Sequence, residues 1–309
     1  MVFMVSVPVV ISCVLTNDMD ETTALHTAAR RYCEERFSEW VQAYTDLQAK
    51  EHSHVKKSFE LGRDYSEKAY DTFPRYWIAK HTLIEIERFS NLSDKSLVEM
   101  KKLIIAASAK AERQLQSEPK HELAYSAIHE EAEDFRVYVE ALTARDLDHV
   151  EPLPYRRVLS KEEHDRFWNS VRKLWSVTQQ YWFPMTRGPA PQNVLAFHVE
   201  YFESLNGQQI LRDALKQHGV SRVFLLHEFG DPEYEIELGI FQPEYADGGE
   251  QYSTSQSADW IIYASQESSI TVGGEWLIDA FRTLHPKCVE LTYEGPYSTP
   301  DLRGTWKLK

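Results

Sequence analysis

The apolar residues of this chain change their spacing once, and no other feature restricts the fold as much. From Asp20 to about Thr143 they recur at three- and four-residue steps; beyond Arg222 the step falls to two. A helix returns a side chain to the same face about every 3.6 residues and a strand every second residue, so the two stretches cannot share one architecture.

In the first stretch Leu25, Ala29, Cys33, Phe37, Trp40, Tyr44 and Leu47 form one apolar stripe, and Val55, Phe59 and Ala69 a second, weaker one. Pro74 is expected at a break, or in the first turn of a third helix running towards Phe89, where its missing N–H costs nothing. Ser96 with Glu99 has the spacing of a capping box, in which each side chain satisfies a free N–H near the other. Leu97, Met100, Ile104, Ala107, Ala111 and Leu115 follow it, and after "SEPK" come Leu123, Ile128, Phe135, Val139 and Leu142. Five helices with short links predict an α-helical bundle over residues 20–145.

"DLDHVEPLPYRRVL" has neither period and holds Pro152 and Pro154, so residues 146–159 read as a linker. A second capping box, Ser160 and Glu163, opens residues 160–309. "NVLAFHVEYFESLNG" (193–207) fits either period and is assigned to helix, and "QQILRDALKQHG" is a helix ended by Gly219. "RVFLLHEF", "YEIELGIF", "DWIIYAS", "SITVGG" and "CVELTYEG" read as strands, with one helix near Glu275–Leu284 among them. The fold class expected is thus a two-domain α+β protein: an N-terminal all-α helical bundle, then an α+β domain with a mostly antiparallel sheet. Residues 1–19 form an apolar extension without the basic flank of a secretory signal; a strand, or a true start at Met19, accounts for them.

The chain carries 34 basic and 48 acidic residues, a net charge of −14, and each side of residue 150 contributes equally. Such a surface gains little from releasing counterions of a polyanion, so nucleic acid is not an expected partner, whereas a basic protein is steered toward it. Three scattered cysteines without a CxxC point to a reducing, cytoplasmic setting rather than a disulfide framework. No apolar run reaches membrane-spanning length.

Candidate chemistry is sparse. His227 and Glu228 precede the turn "GDPE", which contains Asp231, and an imidazole beside carboxylates suits acid–base work; however, adjacent strand residues face opposite ways. In "SQESSITVGG", Glu267, Ser268, Ser269, Gly273 and Gly274 fit a reverse turn and a strand end better than a nucleophile elbow, since no G-x-S-x-G is present. His52 and His54 do not share a helix face, and "HEEAED" (129–134) reads as a solvated helix side, so no metal is implied, and no cofactor motif occurs. The C-terminal segment with Tyr293, Tyr297, Arg303 and Trp306 has the composition of a protein interface.

These features favour a protein-binding module over a catalyst. An acidic, cysteine-poor chain without an assembled catalytic motif is similar in general character to bacterial immunity or antitoxin-like proteins, which cap a basic partner. The alternative is a small-molecule hydrolase with His227, Glu228, Asp231 and Glu267 gathered at strand ends.

Overall fold

A computed structural model of the chain describes residues 19–55, 66–90, 92–117, 121–177, 181–186, 191–229, 232–245 and 249–287. They fall into two units, one drawn from Met1–Ile86 and Asn91–Leu153, the other from Glu87–Ser90 and Pro154–Lys309.

The first unit holds helices α1 (Glu21–Val55), α2 (Glu67–Ile86), α3 (Leu97–Gln116), α4 (Glu122–Ala141) and the single turn α5 (Ala144–Leu147). The helix α2 packs on α1, α3 and α4. Alanines allow the close approach: Ala79 on α2, Ala107 and Ala111 on α3, and Ala124, Ala127 and Ala132 on α4 are all buried, as are Ile78, Met100, Ile104, Ile128 and Phe135. Ser96 caps α3 as expected, its hydroxyl accepting from Glu99 N while the Glu99 carboxylate accepts from Ser96 N at 2.9 Å.

Two expectations for this unit need correction. Ala69 does not belong to a separate weak helix, and Pro74 neither breaks nor begins one: both lie inside α2, which starts at Glu67. The buried apolar face of that helix, with Ile78, Leu83 and Ile86, outweighs the one backbone bond that proline removes. "HEEAED" is not a purely solvated side either. His129 is exposed, but Glu131 is 2% exposed and takes 2.7 Å bonds from both Arg36 Nε and Arg36 Nη2, with a third at 2.9 Å from Trp40 Nε1.

The second unit is built on a seven-stranded sheet of β1 (Arg156–Val158), β2 (Val194–His198), β3 (Arg222–His227), β4 (Tyr234–Glu237), β5 (Gln251–Thr254), β6 (Ile261–Ser265) and β7 (Ser269–Gly273), in the order β1-β4-β3-β5-β6-β7-β2. Every neighbouring pair is antiparallel. On one face Phe197, Ile262, Ile270 and Val272 meet α7 (Val199–Ser204), α8 (Gly207–Gln217) and α9 (Glu275–Leu284) through Phe202, Leu211, Leu215, Leu277 and Phe281. On the other, Phe224, Leu226, Tyr252 and Tyr263 meet Phe167, Trp168 and Val171 of α6 (Lys161–Trp175), followed by Trp182 and Phe183. A sheet covered on both faces explains why β6 reads as an unbroken apolar run.

The expected linker supplies β1, an edge strand pinned by Arg156 Nε to Glu87 Oε2 at 3.0 Å and by Val158 N to Glu87 O at 2.8 Å. The helix assigned to 193–207 is correct only from Val199. Residues 194–198 are β2, because pairing with β7 satisfies their backbone while Leu195 and Phe197 fill one face and Val194 and Ala196 the other. Gly219 ends α8 at φ +81°, as its spacing predicts. The Gly273–Gly274 pair is structural: a Cβ on Gly273 would lie 2.8 Å from both Ile261 and Trp175, and Gly274 turns into α9 at φ +126°. "CVELTYEG" and residues 1–18 lie outside the described residues.

Candidate binding site at one end of the sheet

Registry gathers distant polar residues into one row. His227 faces Gln251 across β3 and β5, and Glu228 N donates to Glu250 O at 3.0 Å, so the next rung outward sets Glu228 against Glu250. Gln251 faces Ala264, which brings Ser265 beside Glu250; Ser265 faces Ser269, and Ser269 faces His198. Since directly opposed residues point to the same side, all five lie on the α6 face. The rung below holds Leu226, Tyr252, Tyr263 and Thr271.

This row is polar where the rest of the face is apolar. Ser265 and Ser269 are buried with their Oγ atoms 2.7 Å apart. Glu228 Oε2 accepts from Glu250 N, and Glu250 Oε1 from Gln266 N, each at 3.3 Å. The second oxygens, Glu228 Oε1 and Glu250 Oε2, are buried without a hydrogen-bond partner among the described residues, and so is Tyr263 OH, which lies against Glu250 without an aligned bond. Burial pushes the Glu250 carboxyl above the usual carboxylate range; the charges of Glu228 and Glu267 push the same way, and the Tyr263 hydroxyl and Gln266 N–H oppose them. Burial likewise raises the Tyr252 and Tyr263 phenols.

A third buried carboxylate, Glu233, sits before β4. Its Oε1 accepts from Trp168 Nε1 at 2.6 Å, and its Oε2 lies 2.7 Å from His164 Nδ1. A carboxylate in that position fixes the proton on Nδ1 and leaves Nε2 of the exposed His164 as the basic nitrogen.

The opposite side of the same sheet end opens into a cleft of about 420 Å³ between the α7–α8 junction, the segment around Gln242–Tyr245 and the β6–β7 turn. Glu203 and Glu244 line it with the amides of Asn206, Gln208, Gln242 and Gln266, and no Lys, Arg or His does so. The turn that forms its wall contains Ser268 at φ +58°. Neither Glu203 nor Glu244 is ion-paired to a described residue, and Tyr245 is exposed at the edge.

The sequence-derived candidates are distributed as follows. Glu228 belongs to the polar row, but His227 points to the other face, as strand alternation requires. Glu267 is exposed in the β6–β7 turn, near enough to Glu250 to raise it. Asp231, Tyr293, Tyr297, Arg303 and Trp306 lie outside the described residues, and His52 and His54 fall on the last turn of α1. Among the described residues no three His, Cys, Asp or Glu side chains form a metal-holding group, and no helix is long and apolar enough to cross a membrane. Sequence reasoning missed Glu250 and Glu233, Ser265 as a partner of Ser269, and the cleft carboxylates Glu203 and Glu244. The one usable signal was "EQYST", a polar–aromatic alternation that marks β5 and places Glu250 at its mouth. Comparisons with family models, curated proteins and solved structures return no match, so the site is interpreted from its own residues.

Proposed function

We propose that this protein is a binding module whose sheet-end cleft receives a basic side chain of a protein partner. The observation that carries this is the lining: two carboxylates, four side-chain amides and no cation around about 420 Å³. That volume lies in the range of pockets that enclose a ligand group, roughly 300–1,000 Å³. Unneutralised Glu203 and Glu244 favour an ammonium or guanidinium, the amides orient it, and exposed Tyr245 offers an aromatic contact of the kind that anchors interfaces. A net charge of −14 supports the same choice by steering a basic partner toward the surface. A capping role of the immunity or antitoxin kind is consistent with these properties.

The test is affinity capture from the source cell at low salt, with the wild-type chain and a Glu203→Lys/Glu244→Lys variant side by side. The expected result is one stoichiometric basic protein on the wild type, released at high salt and absent from the variant. No partner, or a partner that the charge-reversed chain retains, overturns the proposal.

A further inference from the structure

Ser265 and Ser269 of the polar row also line the cleft, but Glu228, Glu250 and Tyr263 do not. Glu228 and Glu250 stand opposite each other one residue beyond the ends of β3 and β5, and like charges in directly opposed positions repel. Each carboxyl has one oxygen held by a backbone N–H and one, Glu228 Oε1 or Glu250 Oε2, buried without a donor. Tyr263 OH, one rung inward and against Glu250, is equally buried and unpartnered. Glu250 is 1% exposed and Tyr263 fully buried, whereas Glu228 is half-buried, so the cluster meets solvent on its Glu228 side.

Leaving a buried carboxyl oxygen without a donor costs about 1–3 kcal/mol, and more for a charged group. Two such carboxyl oxygens beside a phenol hydroxyl, which can turn its O–H to Glu250 and accept on its own oxygen, define what would satisfy them: a group with several N–H donors and one positive charge. A primary ammonium has three donors on one nitrogen. A guanidinium is planar and wider, and a quaternary ammonium has no N–H. The stacked rings of Tyr252 and Tyr263, 4.7 Å between centroids, add aromatic faces beside the pair.

We propose that Glu228, Glu250 and Tyr263 form a binding site for the ammonium head of a small primary amine, separate from the cleft on the other face. Burial is the main reason the Glu250 carboxyl is raised, and the facing Glu228 charge adds to it in a smaller measure.

The test titrates methylammonium chloride against the full chain and follows broadening of its methyl resonance, with tetramethylammonium as the probe lacking N–H. Saturable broadening by methylammonium alone is expected. It should weaken about tenfold or more in Glu228→Gln and Glu250→Gln and severalfold in Tyr263→Phe, a change that deletes only a hydroxyl without an aligned bond. A Glu203→Gln/Glu244→Gln chain should keep the part of the methylammonium binding that Glu228→Gln and Glu250→Gln remove, which separates this site from the cleft. Absence of saturable binding, equal binding of tetramethylammonium, or a loss confined to the cleft variant would overturn the assignment.

Discussion

In the helical unit the buried carboxylate of Glu131 accepts two N–H bonds from Arg36 and one from Trp40. In the sheet unit the equally buried carboxyl of Glu250 accepts one backbone N–H and keeps a second oxygen unpartnered. The contrast extends beyond these two residues. Lys110 reaches buried Glu85 at 2.6 Å in the helical unit, while the buried side-chain atoms lacking a partner, including Glu228 Oε1, Ser253 Oγ and Tyr263 OH, all belong to the sheet unit among the described residues. Polar groups buried for stability are saturated, because an orphan is costly. Three of the unsaturated groups, on Glu228, Glu250 and Tyr263, adjoin one another at the end of the sheet, which is where the proposed amine would complete the structure.

The largest effect should come from removing the saturated partner. Glu131→Ala leaves the Arg36 guanidinium and Trp40 N–H facing a hole, and breaking a buried pair from one side costs about 3–5 kcal/mol. Urea unfolding followed by helix content measures it, and a change under about 1 kcal/mol would mean the network is not structural.

Next comes His26, buried with its Nε2–H donated to Ile86 O at 3.1 Å. Burial lowers its pKa to about 4, with the nearby Arg30 charge acting in the same direction and the Ile86 bond opposing. Because the unfolded chain takes up the proton first, stability falls as pH drops from about 6.5 towards 4 and levels off below that; the total is on the order of 3 kcal/mol. A His26→Gln chain should lose that slope. An unchanged slope would assign the acid sensitivity to other groups.

In the sheet unit the expected costs come from packing. Gly273→Ala drives a methyl into Ile261 and Trp175 and should destabilise by roughly 1–3 kcal/mol, read from the thermal midpoint. The smallest effect separates the units most sharply: Glu250→Gln keeps an acceptor for Gln266 N, removes the repulsion with Glu228, and should change stability by less than about 1 kcal/mol or raise it. A loss comparable to that of Glu131→Ala would show that Glu250 is saturated in solution and dissolve the contrast.

Local signals were legible in the sequence, and signals that depend on pairing were not. Ser96–Glu99 and Ser160–Glu163 announce their helices because a capping box is complete within four residues. Gly219 and the turn after Ser265 likewise carry their own backbone chemistry. By contrast, β1 is three residues beside a proline-rich stretch and exists because β4 offers an edge and Glu87 an anchor. The division of 193–207 into β2 and α7 follows from the free edge of β7, which no local pattern reveals. The Glu228–Glu250 rung joins residues 22 apart through strand register, and the cleft joins Glu203, Glu244 and Gln266 through three separate connections, so neither could be read from spacing alone.

The central claim, that the sheet-end cleft receives a positively charged side chain, is tested most directly on the deuterated Glu250→Gln chain, in which the second amine site is removed, by amide chemical shifts during titration with N-acetylated Gly-Lys-Gly and its N-acetylated norleucine counterpart. The account predicts that only the lysine peptide shifts amides, that the shifts centre on Glu203–Gly207, Glu244 and Gln266–Ser268, and that salt or Glu203→Gln/Glu244→Gln removes them. Equal shifts from both peptides, or lysine-specific shifts located elsewhere, would contradict it.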